Sequence, residues 1–215
     1  MPSRPIPSPD RPHRPAPRRG RPPRLEARGD ILEALGELLA VADIDAISVE
    51  NIVRRAGVSR ATFYKHFDSR DHALVELFTE VADGIREEVL DAMRATGDPR
   101  TFIENGIRAY LHALTNLGRL APAFDMAQYR LPEMYQRREE TIGVYVDEVT
   151  GMLDHAGLPP VPAILLEGLI AAIDRVGQRI AAQQAATGAP ADIEGLLEGT
   201  RRTLAAHIQL VLESS

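Results

Sequence analysis

Between positions 47 and 67 the chain reads ISVENIVRRAGVSRATFYKHF, and this segment holds the side chains best suited to binding a polyanion. Ser59, Arg60, Thr62, Tyr64, Lys65 and His66 follow one another closely here. An arginine can donate two hydrogen bonds to a guanine edge, while lysine and hydroxyl groups meet phosphate oxygens. Residues 51–70 carry Arg54, Arg55, Arg60, Lys65 and Arg70 against Asp68 alone, a local charge of +4 in a chain whose net charge is −6. Polyanions can therefore bind this chain locally but not over its whole surface.

The elements that must position these groups follow from the same stretch. Ser48 is a good N-cap, and Ile52, Val53 and Ala56 make the buried side of a short helix. Gly57 can take the left-handed conformation that ends it, with Val58 turned into the core. Ser59 caps a second short helix on which Phe63 and Phe67 face inward, leaving Arg60, Ala61, Tyr64 and Lys65 on another face. Two short helices about a glycine turn describe a helix-turn-helix. Ile31, Leu35, Leu38, Leu39 and Ala42 form the apolar stripe of a preceding helix. Leu74, Leu77, Phe78, Val81 and Ile85 do so on a long helix beginning at Asp68 or Ser69.

The pattern IxVxxIxxxAGVSxxTFYxHFxSRxxAL resembles the DNA-binding head of the tetracycline-repressor (TetR) family of transcriptional regulators, over about residues 25–80. The resemblance implies that Arg60 and Ala61 face base edges and that Thr62, Tyr64, Lys65 and His66 lie along the DNA backbone. It further implies that Ser48 directs the first N–H groups of its helix at a phosphate, and that Arg70 holds the opposite side of the groove. His66 reads as a structural or phosphate-contacting residue rather than a metal ligand.

The remainder of the chain reads as helical. Breakers at 97–99, 122, 132, 157–160 and 188–190 divide it into pieces at about 100–117, 119–129, 132–156, 161–187 and 192–213. No strand pattern and no internal repeat emerges, so the expected fold is all-α with about nine helices: a three-helix head and a helical ligand-binding and dimerisation core. The expected division is a tail at 1–24, a DNA-binding domain at 25–70 and the core at 71–215. The tail holds nine prolines and seven arginines against one acid, which predicts a flexible basic segment with even claims as a DNA-binding arm or a solubilising extension.

In the core, small residues along 161–187 and apolar repeats along 192–213 suit helix association. By resemblance they imply a homodimer interface, with Gly168, Ala172, Val176, Leu197, Leu204 and Ile208 as candidates. A dimer also follows from the small number of bases one short helix can read, and two copies would bind a palindromic double-stranded DNA operator. Aromatic and methionine side chains gather between 100 and 156. The resemblance implies an inducer pocket there, with Phe102, Tyr110, Phe124, Met126, Tyr129, Tyr145 and Met152 as its candidates. Asn105, Asn116 and Gln128 offer orienting hydrogen bonds.

The chemistry expected is therefore that of a ligand-responsive repressor released from DNA by a small apolar or amphipathic inducer, with no cofactor and no metal. A constitutive DNA-binding regulator is the alternative. A helical enzyme lacks its signatures: no cysteine, no HExxH and no glycine-rich loop after a strand. The longest mostly apolar stretch, Val161 to Ile173, is shorter than the roughly 20 residues a membrane span needs. The N-terminus shows no apolar leader, so a cytoplasmic, bacterial, nucleoid-associated protein is expected.

Overall fold

The computed structural model describes residues 23–199 and residue 202. The basic tail up to residue 22 lies outside them, as do Leu204 and Ile208. The described residues form helices without a strand: α1 (Pro23–Leu39), α2 (Val49–Ala56), α3 (Arg60–Tyr64), α4 (Arg70–Arg94), α5 (Pro99–Asn116), α6 (Leu120–Gln128), α7 (Pro132–His155) and α8 (Ala163–Thr187). A 3-10 turn at Ile44–Ala46 joins α1 to α2, and a ninth helix, α9, begins at residue 193. Helix α1 takes in the last two residues of the expected tail. Its proline occupies a first-turn position, where a missing N–H costs nothing. No described helix is long and apolar enough to cross a membrane.

The head is set by local signals that agree with one another. Ser48 and Asn51 form a reciprocal cap: the Ser48 hydroxyl accepts from Asn51 N–H at 3.2 Å, and Asn51 Oδ1 accepts from Ser48 N–H at 2.9 Å. Gly57 (φ 68°) closes α2, letting Val58 N–H return to the Val53 carbonyl at 3.1 Å. Ser59 then starts α3 by accepting from Thr62 N–H at 3.0 Å. The chain thus reverses direction within three residues, and α3 is pinned by Phe63, which is fully buried.

Phe63 and Phe67 pack with Ile31, Leu35, Leu39, Ile52 and the first turns of α4. Phe124, Ala127 and Met134, from α6 and α7, belong to the same apolar cluster. Helix α4 runs on through position 70–71, from the head cluster at Leu74 and Leu77 into a second cluster at Val89 and Met93. The head therefore shares its core with the helices behind it.

In the rear of the molecule α8 packs against α5 at Gly177. A Cβ there would stand 2.8 Å from Leu114 Cδ1 and 3.2 Å from Leu111 Cδ2. Gly177→Val is expected to force the helices apart at a cost of about 1–3 kcal/mol. At this chain length that is a fall in Tm of roughly 2–12 °C. Thermal unfolding followed by far-UV circular dichroism checks it, with Gly151→Val, at an exposed position of α7 with open space around a Cβ, as the unaffected comparison.

Candidate nucleic-acid interface and core cavity

The outward face of α3 is made by what its inward face buries. With Phe63 and Phe67 in the core, Arg60, Ala61, Tyr64 and Lys65 are exposed, and Thr62 and His66 are half-buried at the flanks. The Arg60 guanidinium lies 6.0 Å from the centroid of the Tyr64 ring, and that ring meets Phe63 edge-on at 5.4 Å. Among the described residues neither Arg60 nor Lys65 has a carboxylate partner, so both cations remain available to an external anion.

Of the other cations of the +4 island, Arg54 is exposed without a carboxylate partner among the described residues, while Arg55 and Arg70 are committed. Arg55 pairs with Glu37 at 2.5 Å. Arg70, expected at the far side of the groove, turns inward instead. Its guanidinium donates to the carbonyls of Ile44 and Ile47 at 3.1 and 3.2 Å and pairs with Asp71 at 2.7 Å. Arg70 thus braces the turn before α2. Thr62 Oγ1 lies 2.9 Å from Ser59 Oγ, so both hydroxyls share in capping α3.

Behind the head, α4, α5, α6, α7 and α8 line a half-open cavity of about 170 Å³. Its walls are mostly apolar, including Phe78, Ile85, Val89, Ile107, Leu114 and Ile170. Of the aromatic and methionine candidates, Tyr110, Phe124 and Tyr145 line it. Phe102 is buried beside the cavity in the cluster of Val89, Met93 and Tyr145, and Met152 packs against that cluster. Met126 and Tyr129 are 55% and 73% exposed, on the outer side of α6 and at its end. Neither lines the cavity, because α6 turns Phe124, Asp125 and Gln128 inward instead.

One end of the cavity is polar, and most of its members lie outside the candidate set. Asp174, 7% exposed, pairs with Arg138 and accepts from the Tyr110 hydroxyl. Arg138 also donates to Gln128 Oε1, and the Gln128 amide donates to Asp125 Oδ1 at 2.6 Å. Arg175 reaches the second oxygen of Asp125 at 3.3 Å. Burial raises the Tyr110 and Tyr145 hydroxyls well above the ordinary tyrosine pKa, so both are neutral donors at physiological pH. The signal for Asp174 and Gln178 lies in the sequence. Leu166, Ile170, Ile173, Asp174, Gly177, Gln178 and Ala181 fall on one helical face, which two polar residues interrupt.

The opposite face of α8 is apolar and exposed. Ile164, Leu165 and Leu169 are more than half exposed, and Gly168, Ala172 and Val176 continue the stripe. Leu197 on α9 is half-buried. Among the described residues no group of three or more acidic, histidine or cysteine side chains stands where a metal could be held.

Residues 31–77 match the family described as bacterial regulatory proteins, tetR family. Over 85 residues the chain is 34% identical to the HTH-type transcriptional activator FasR of Mycolicibacterium smegmatis, an alignment covering 40% of this chain and 39% of the relative. Over 86 residues it is 31% identical to the HTH-type transcriptional regulator EthR of the same organism, covering 39% of each. The chain thus spans about two fifths of the curated relatives it matches. Among solved structures, a TetR family transcription regulator from Marinobacter aquaeolei VT8 aligns with a TM-score of 0.57 at 25% identity, covering 80% of this chain and 90% of that one. The fatty acid degradation regulator FadR from Bacillus halodurans shares the fold, with a TM-score of 0.65 at 17% identity over 86% and 96% of the two chains. All four of these proteins carry the names of regulators.

Proposed function

We propose, from the match of residues 31–77 to the tetR family, that the chain is a transcriptional regulator that binds a palindromic operator as a homodimer and answers to a small molecule. The observation that carries the reading is the outer face of α3, with Arg60 and Lys65 unneutralised on a helix held rigid by Phe63. Arg60 and Ala61 meet base edges; Tyr64 and Lys65 contact phosphates, with Thr62 and His66 at the flanks. Ser48 orients the first N–H groups of α2 toward the backbone. Arg70 contributes by holding the turn that sets the angle between α1 and α2.

Helix α3 spans Arg60–Tyr64 and reaches few base pairs, so specificity requires two copies about a two-fold axis, set in successive major grooves. The exposed stripe of α8, with Gly168, Ala172 and Val176 at its centre, supplies a surface for that pairing. In this division residues 25–70 read DNA, and residues 71–215 pair the subunits and hold the ligand in the cavity behind the head. The unliganded dimer occupies the operator, and an inducer releases it through its preference for a different arrangement of the core. A promoter covered by that operator is repressed. The protein then works on the nucleoid, in the bacterial cytoplasm.

The test is binding of the purified protein to DNA from upstream of its own and neighbouring genes, across a salt series. Selective binding by two protomers per site is expected. In Lys65→Ala the slope of log K against log salt is expected to fall by about 2, one phosphate for each subunit. Binding without sequence preference, or an unchanged slope with unchanged affinity, removes the reading or the Lys65 role respectively.

A further inference from the structure

The polar end of the cavity tells which ligands it accepts. Three charged side chains line it: Asp125, Arg138 and Asp174. Each is already answered, Asp174 by Arg138 and Tyr110, Asp125 by Arg175 and the Gln128 amide. With Arg175 included the set holds two cations and two anions, a net charge of zero. An entering carboxylate or phosphate gains an arginine only by parting it from its aspartate, and a buried aspartate left alone is strongly unfavourable. The existing pairs thus select against charge.

Two of the residues that line the cavity each carry a buried polar atom without a hydrogen-bond partner. The Tyr145 hydroxyl is buried, on a side chain 8% exposed, and makes no hydrogen bond; the Gln178 amide oxygen is likewise buried and unanswered. Buried polar groups are rarely left so, and an orphan in a cavity marks the place of an absent partner. One atom is a neutral donor and the other an acceptor, the complement of a group that both accepts and donates. The volume of about 170 Å³ is close to the roughly 150 Å³ of an engineered core cavity that holds benzene.

We propose that this cavity takes an uncharged, single-ring-sized apolar molecule bearing one hydroxyl or comparable neutral group, which satisfies the Tyr145 hydroxyl and the Gln178 amide oxygen. The assignment deepens the ligand-responsive reading above and rests on it for its biological meaning, not for the binding itself. It separates this chain from a receptor for anionic acyl chains, for which the cavity has no spare cation.

Benzyl alcohol, toluene, benzoate and decanoate, tested by calorimetry and thermal shift on the full chain, form the experiment. Benzyl alcohol is expected to bind saturably at one site per protomer, with toluene weaker and the two anions silent. Tyr145→Phe and Gln178→Leu are each expected to weaken benzyl alcohol by about five- to tenfold while leaving toluene unchanged, the loss of one hydrogen bond. Tighter binding of benzoate or decanoate than of the alcohol overturns the proposal, as does toluene losing affinity in step with the alcohol. Operator binding measured alongside separates the two readings. An alcohol that binds without altering DNA affinity supports the ligand class and defeats the response. Release of DNA by an anion alone defeats the class and leaves the response standing.

Discussion

Arg60→Ala is expected to abolish selective operator binding while leaving the fold intact. One arginine fork on a guanine contributes about 1–3 kcal/mol of discrimination. The proposed two-fold dimer would lose it in both half-sites, so the expected combined loss is roughly 2–6 kcal/mol, or about 30-fold to 10⁴-fold in affinity. The variant cannot recover by shifting its neighbours, because Phe63 is fully buried and fixes the register of α3. Arg60 is itself exposed and has no carboxylate partner among the described residues, its guanidinium standing only near the exposed Tyr64 ring, so no core contact is lost. Anisotropy with a labelled operator and a scrambled duplex measures both terms. Equal affinity of the variant and the parent for the operator would place base recognition elsewhere on the head.

The second large effect lies in the core. Asp174→Ala leaves the Arg138 guanidinium without its carboxylate and the Tyr110 hydroxyl without its acceptor. Breaking a buried pair from one side costs about 3–5 kcal/mol, because the remaining charge stays desolvated. For a chain of this size the expected fall in Tm is roughly 6–20 °C. The double variant Asp174→Leu, Arg138→Met should recover most of that loss, since apolar groups of similar volume tolerate the same surroundings. Denaturant unfolding of the parent, single and double variants decides. A double variant no more stable than Asp174→Ala would mean that the aspartate holds the helices together by something other than its charge pair.

The head was legible because its instructions are local. Ser48, Gly57 and Ser59 each act on backbone groups within a few residues, so their types and spacing reveal the turn. Arg70 was not legible in the same way. Its partners are the carbonyls of Ile44 and Ile47, more than twenty positions earlier, and a carbonyl leaves no trace in residue type. Along α8 the difficulty was direction. Gly168 and Gly177 both suggest close helix approach, yet nine positions rotate a helix by about half a turn, so one faces solvent and the other α5. Met126 and Tyr129 misled for a related reason. An aromatic in a helical segment predicts burial only when the facing helix is known, and α6 offers Phe124 and Gln128 to the interior instead.

The cavity's polar end was legible in part. Asp174 and Gln178 stand out as polar residues in an apolar stripe, which is a signal in one helix alone. Arg138 carries no such mark, since it follows Arg137 in a segment rich in charge. Its inward turn depends on α8 being there to receive it.

Helix α4 begins at the head and ends beside the cavity, its first turns packed on Phe63's cluster and its later turns forming the wall at Ile85, Val89 and Met93. Its 25 residues make a rod of about 37 Å. A rod that long multiplies small angles: a five-degree tilt about its far end carries the other end through about 3 Å, nearly the 3.4 Å rise of one base-pair step. On the proposed reading, side chains at the far end of α4 need shift only by fractions of an ångström to move the head by a whole letter of its text.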